Sequence, residues 1–158
     1  MMARCAILFL MIAAIIFSSC GEYPCAKAEL GYNLIGFSDA ESDTIVIRRF
    51  QKNSAVIIDS ILFNENNPVR FHRYGDTLVM AAFLSTALLQ SDFDYQLFFP
   101  GAVRMFTITD INEVQSYGKN SGPFNTSKIG CGNQISGCKV DGQPVNTINF
   151  PNTIYLRK

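Results

Sequence analysis

From residue 28 onward, apolar side chains recur at every second position in short runs, separated by polar, Gly- or Pro-containing turns. A period of two puts alternate side chains on opposite faces of an extended strand and lets one face be buried. The pattern predicts a first strand over residues 28–37, with Leu30, Tyr32 and Leu34 on one face, followed by a polar turn over 38–43. Residues 44–51, dense in β-branched side chains, form the next strand. A short turn over 52–54 returns the chain into 55–63. That run is apolar on both faces except at Asp59 and Ser60, a pattern that suits a central strand covered on both sides, or one covered by a partner.

Further strands are predicted over 69–74 and 77–83, joined at Gly75-Asp76. Residues 84–91 read as a strand end and loop, for they lack a full helical repeat. The clearest hairpin runs over 94–99, turns at Pro100-Gly101 and returns over 103–110. Tyr95, Leu97 and Phe99 pack on one side of it, answered by Phe106 and Ile108. Residues 111–145 read as a long irregular segment, with 118–127 an exposed loop and an Asp-Gly turn at Asp141-Gly142. Short strands over 147–150 and 153–156 close the chain. The expected fold class is all-β: one antiparallel β-sandwich or barrel of about eight strands.

The first 19 residues follow a different pattern. Arg4 lies in a short leader, residues 5–17 are charge-free and apolar, and Ser18-Ser19 are small. These are the three parts of a cleaved signal peptide. The apolar run of about 13 residues is too short to span a bilayer core of ~30 Å as a helix. Phe17-Ser18-Ser19-Cys20 resembles the lipobox of bacterial lipoproteins, with Phe17 where Leu, Val or Ile is more common. That resemblance implies acylation of Cys20, cleavage before it, and a lipid bilayer as partner through the acyl chains. The expected organisation is a signal at 1–19, a lipidated cysteine and short tether at 20–27, and a β domain at 28–158. A tether of that length keeps the domain close to the membrane.

Charge adds exclusions. Lys and Arg total 13 against 13 Asp and Glu, with no basic stripe. No nucleic-acid partner is expected. Past the signal and Cys20, three cysteines remain, and export into an oxidising compartment favours a disulfide. A local bridge between Cys131 and Cys138 is favoured, with Cys25–Cys131 as the alternative. No metal and no cofactor is expected, since His72 is the only histidine and no phosphate-binding glycine loop occurs. Asp39, Glu41 and Asp43 alternate like a calcium loop but lack its later glycine and glutamate. Asp92 and Asp94 are weighed as paired carboxylates for glycosidic chemistry and read instead as the edge of a turn. Tyr95, Phe98 and Tyr117 are candidates for an exposed aromatic ligand platform.

The whole layout resembles the small lipoproteins of Bacteroidota-type bacteria: lipobox, short tether, one β domain and a late Cys followed by Val-Asp-Gly. The resemblance implies an outer-membrane address, Gly21 rather than Asp following Cys20. It also implies O-glycosylation at Asp-Ser/Thr-aliphatic triplets, here centred on Thr44, Ser60 and Thr77. The expectation is a non-enzymatic binding or structural component of the cell envelope, partnered by an envelope protein. The alternative is a surface lipoprotein that binds carbohydrate or another ligand through exposed aromatics.

Overall fold

The computed structural model describes residues 22–81, 87–115, 117–120, 128–129, 132–147 and 152–158; for 22–23, 117–120 and 128–129 only the backbone is described. The signal, Cys20, Tyr117's side chain, Cys131 and residues 148–150 of the strand predicted over 147–150 therefore lie outside the described residues. The chain divides into two compact units, residues 1–26 with 115–133, and residues 27–114 with 134–158.

In the first unit, strand β1 (Glu22–Pro24) pairs antiparallel with β10 (Tyr117–Asn120), which pairs with β11 (Lys128–Ile129). Part of the expected tether is thus a strand, and part of the expected irregular segment is its sheet.

The second unit is a sandwich-like fold with no closed barrel. Its larger sheet has six strands in the order β13-β12-β9-β8-β3-β4, all antiparallel. They are β3 (Ile45–Gln51), β4 (Ile57–Phe63), β8 (Phe93–Phe99), β9 (Arg104–Val114), β12 (Gln134–Val140) and β13 (Gln143–Asn146). The smaller sheet runs β14-β2-β6-β5, from β2 (Glu29–Ile35), β5 (Phe71–Tyr74), β6 (Thr77–Met80) and β14 (Thr153–Arg157), and β7 (Leu89–Gln90) also pairs with β2. The described residues hold fourteen strands, more than expected, because several are two to four residues long. One pairing departs from the antiparallel expectation: β14 lies parallel to β2, Ile154 beside Tyr32 and Leu156 beside Leu34.

The alternation read from the sequence builds the core. Leu30, Tyr32 and Leu34 of β2 meet Ile45 and Ile47 of β3, Phe63 of β4, Tyr95, Leu97 and Phe99 of β8, and Ile108 of β9. Each is buried to 2 % exposure or less. Burial of one such side chain contributes about 1.5–3 kcal/mol against leaving it in water.

The polar stretch after β2 is a short helix, α1 (Asp39–Ser42). Ser38 caps it: its Oγ accepts from Glu41 N, and Glu41 Oε2 accepts from Ser38 N at 3.0 Å. This is the reciprocal capping box. Arg73 then binds Asp39 through Nη2 at 2.7 Å and donates to the Phe37 carbonyl at 3.0 Å. Lys158 Nζ donates to Glu41 Oε1 at 2.6 Å. The residues that alternate like a calcium loop are thus bound to cations at Asp39 and Glu41.

The predicted turns at Asp141-Gly142 and Pro100-Gly101 both form, for partly different reasons. Asp141 and Gly142 take φ of 50° and 79°, the left-handed pair that a two-residue turn requires. At Pro100-Gly101 the chain makes a 3₁₀ turn instead, and the left-handed residue is Val103. Gly101 is small for want of space: a Cβ there would sit 2.9 Å from the Glu41 Cα.

Candidate functional site

β4 ends the six-stranded sheet, and no other strand pairs with its outer side among the described residues. The sequence pattern suits a central strand or one covered by a partner, and of these the structure excludes the central position: β4 lies at the edge. Its side chains divide by parity. Phe63 is fully buried, and Ile61 packs against the core. Leu62, Ser60 and Ile58 face the other way, where Leu62 and Ile58 are 52 % and 48 % exposed. The pairing with β3 skips from Arg49–Asp59 to Phe50–Ile57, so Ile58 is the extra residue of a bulge in β4, and Val56 and Ile57 before it are also largely exposed.

An apolar row continues across the sheet, half-buried at Val46 and Phe98 and exposed at its two ends, Leu62 and Met105. Leu62 stands opposite Val46, Val46 opposite Phe98, and Phe98 opposite Met105. The next row inward from the hairpin is polar: Ser60, Arg48, Gln96 and Thr107, with Arg48 Nη1 donating to Gln96 Oε1 at 3.3 Å. One hydrophobic row thus runs beside a polar one on this face, and it ends at β4.

That edge is held firmly. At the β3–β4 turn, Asn53 N donates to Asp94 Oδ2 at 2.7 Å, and Gln51 N donates to the Val56 carbonyl at 2.9 Å. Lys52 Nζ donates to the carbonyls of Ser91 and Ile111. Proteins usually protect edge strands with charge, proline, a β-bulge or a covering segment, and β4 carries such a bulge at Ile58. β4 has one charge, Asp59, and Arg49 holds it in a fork through Nε and Nη2. The pair lowers the Asp59 carboxyl below its ordinary range, chiefly through the hydrogen bond from Arg49, and raises the Arg49 guanidinium in return. Arg49 also lies over the Phe93 ring, 5.1 Å from its centroid.

Beneath this pair, Glu29, Ile47, Arg49, Ile61, Leu88, Gln90 and Tyr95 line a cavity of about 310 Å³. Tyr95 Oη accepts from Gln90 N at 2.8 Å, and burial pushes its phenol above the ordinary value.

Of the candidate platform of Tyr95, Phe98 and Tyr117, the first two do not share a face, and the Tyr117 side chain lies outside the described residues. Tyr95 is 2 % exposed and belongs to the core, whereas Phe98 lies half-buried on the opposite face of β8. Three residues along a strand reverse the face, so no single surface presents both. Tyr117 belongs to the other unit. The carboxylates weighed for glycosidic chemistry are engaged too: Asp94 holds the β3–β4 turn, and Asp92 pairs with Lys27. Of the triplet hydroxyls, Ser60 is exposed on β4, Thr44 is half-buried, and half-buried Thr77 donates to Asp76 Oδ1 at 3.2 Å. His72 is exposed on β5.

The favoured local disulfide is also overturned. Cys138 is a free thiol, buried at 4 % exposure, and points into the core from β12. Burial pushes its pKa up to about 11. Cys25 is the disulfide-bonded cysteine, and its partner lies outside the described residues.

Sequence reasoning did find the unusual apolarity of residues 55–63, but it could not place them at an edge. Comparison with protein-family models, curated proteins and solved structures gives no match. The residues themselves therefore carry the functional reading.

Proposed function

We propose that this chain is a lipoprotein of the outer membrane, anchored through acylated Cys20. It serves there as a non-enzymatic binding component of the cell envelope and engages its partner through β4. The anchor rests on Phe17-Ser18-Ser19-Cys20 and the apolar run before it. One observation carries the binding role: an edge strand with no strand on its outer side among the described residues, with Ile57, Ile58 and Leu62 each about half exposed and its one charge paired. Such an edge offers backbone hydrogen bonds for affinity and alternate side chains for selectivity. Exposed apolar area of this kind is characteristic of interaction sites.

The anchor is tested by growth on labelled palmitate. The full chain takes up label and sediments with membranes, and Cys20→Ala loses both. An unlabelled, soluble wild-type product would overturn the address. The binding role is tested by Leu62→Lys, which leaves the fold intact and abolishes cross-linking to the partner; cross-linking unchanged by this substitution would overturn β4 as the contact.

A further inference from the structure

We infer that a groove on β9, β12 and β13, at the end of the larger sheet away from β4, is a binding site for a neutral oligosaccharide. The groove has a volume of about 570 Å³. That lies within the range of small-molecule sites, but those are lined predominantly by apolar side chains. Here Asp110, Asn112, Ser136, Lys139 and Asn146 form much of the lining, and Pro144 and Val145 supply apolar contact. The inference goes beyond the β4 reading and does not depend on it.

The backbone is bent at this groove. Pairing runs from Ile135–Glu113 to Gly137–Asn112 and then to Lys139–Thr109, so β12 gains a residue at the first step and β9 at the second. Bulges re-aim side chains and are over-represented beside active sites. The β9 bulge contains Asp110, whose φ is 50°. Glycine fills a left-handed position in a bulge without steric cost. The chain keeps a carboxylate there instead and secures it, with Lys139 Nζ 2.7 Å from Asp110 Oδ2. Sparsely populated backbone conformations held by their surroundings cluster at ligand clamps. Across the groove, Ser136 Oγ donates to the Asn112 carbonyl at 3.2 Å and ties the two bulged strands together.

The side chains select the ligand class. A carboxylate accepts hydrogen bonds, an ammonium donates them, and the amides of Asn112 and Asn146 do both. Sugar hydroxyls also do both, so each can be matched along such a wall. The two charges on the lining are opposite and paired with each other, so the groove calls for no net charge on its ligand. Pro144 and Val145 offer a surface for the C–H face of a pyranose ring. No aromatic ring lines the groove, so recognition here runs through amides, a hydroxyl and an ion pair, unlike the aromatic platform expected from the sequence.

The test passes the full chain, solubilised in detergent, over an array of short immobilised oligosaccharides, some neutral and some sialylated or sulfated. Retention on neutral members is expected. Asp110→Gly should keep the thermal midpoint of the wild type, since glycine suits a φ of 50°, and should weaken that retention about tenfold or more. Asn112→Ala, at an exposed position, should weaken it to a similar extent and reads the same wall without touching the bulge. Failure to retain any neutral member, or retention confined to acidic ones, overturns the ligand class. Undiminished retention of folded Asp110→Gly and Asn112→Ala overturns the groove as the site. Both outcomes leave the Cys20 anchor and the β4 contact as they stand.

Discussion

Arg49 on β3 holds Asp59 on β4 in a two-point fork, and the edge strand is left without a free charge. The two residues are direct cross-strand neighbours, and Arg49 is fixed from its other side by the Phe93 ring. An acidic residue that would ordinarily guard the edge is thereby neutralised, and the strand keeps its capacity to pair.

The fork has a pH signature. Its carboxyl is held below the ordinary range, so its stabilisation is fully present above the unfolded Asp value of about 3.9 and is lost as pH falls through the folded value. The side chains are 30 % and 37 % exposed, so screening limits the effect. Asp59→Ala should cost about 0.5 kcal/mol at neutral pH and nothing measurable at the acid end. Denaturant unfolding at pH 7 and below pH 3 checks the difference.

Gly101→Ala should destabilise the protein by about 1–3 kcal/mol, because the new methyl meets the α1 backbone at Glu41 and Ala40 rather than a side chain that can turn away. Thermal unfolding reads the loss. A neutral result would mean that α1 and the 3₁₀ turn do not pack as described.

Leu97 and Leu62 lie on neighbouring regions of one sheet, with opposite burial. Leu97→Ala empties a fully buried site and should cost about 2–5 kcal/mol. Leu62→Ala removes a half-exposed side chain and should stay within about 0.5 kcal/mol of wild type. Urea midpoints of the two variants distinguish core from edge.

Cys138 should resist maleimide in the folded protein and react once it is unfolded, since its thiol is buried and its pKa is raised to about 11. Mass spectrometry under non-reducing conditions reads this directly. A peptide linking Cys131 to Cys138 would contradict the free thiol.

Much of the fold was legible where local rules decide it. The alternation of Leu30, Tyr32 and Leu34 gave β2, and Asp141-Gly142 gave the β12–β13 turn, because period and left-handed φ are properties of neighbouring residues. The capping box was also written in Ser38-Asp39-Ala40-Glu41, yet the stretch reads as a plain turn until Arg73 and Lys158 arrive from distant strands to hold it. What local pattern cannot supply is neighbourhood. A strand apolar on both faces suits a central position or a covering partner, and only the sheet order shows that β4 has no strand on its outer side among the described residues. The parallel pairing of β14 with β2 joins opposite ends of the chain and leaves no trace in spacing. Tyr95 and Phe98 looked like one platform by residue type, and strand parity sets them on opposite faces. Loop closure alone favoured Cys131 with Cys138, but the inward face of β12 keeps Cys138 apart from any bridge.

The most direct measurement puts a photoreactive phenylalanine analogue in place of Leu62, in the full chain in intact cells, and compares it with the same group in place of Val114. Both positions are about half exposed, and only the first lies on the open edge. A discrete protein adduct at position 62, absent at 114 and abolished by Ile58→Lys, is the predicted result. Equal labelling at the two positions, or none at 62, would contradict a binding role for β4.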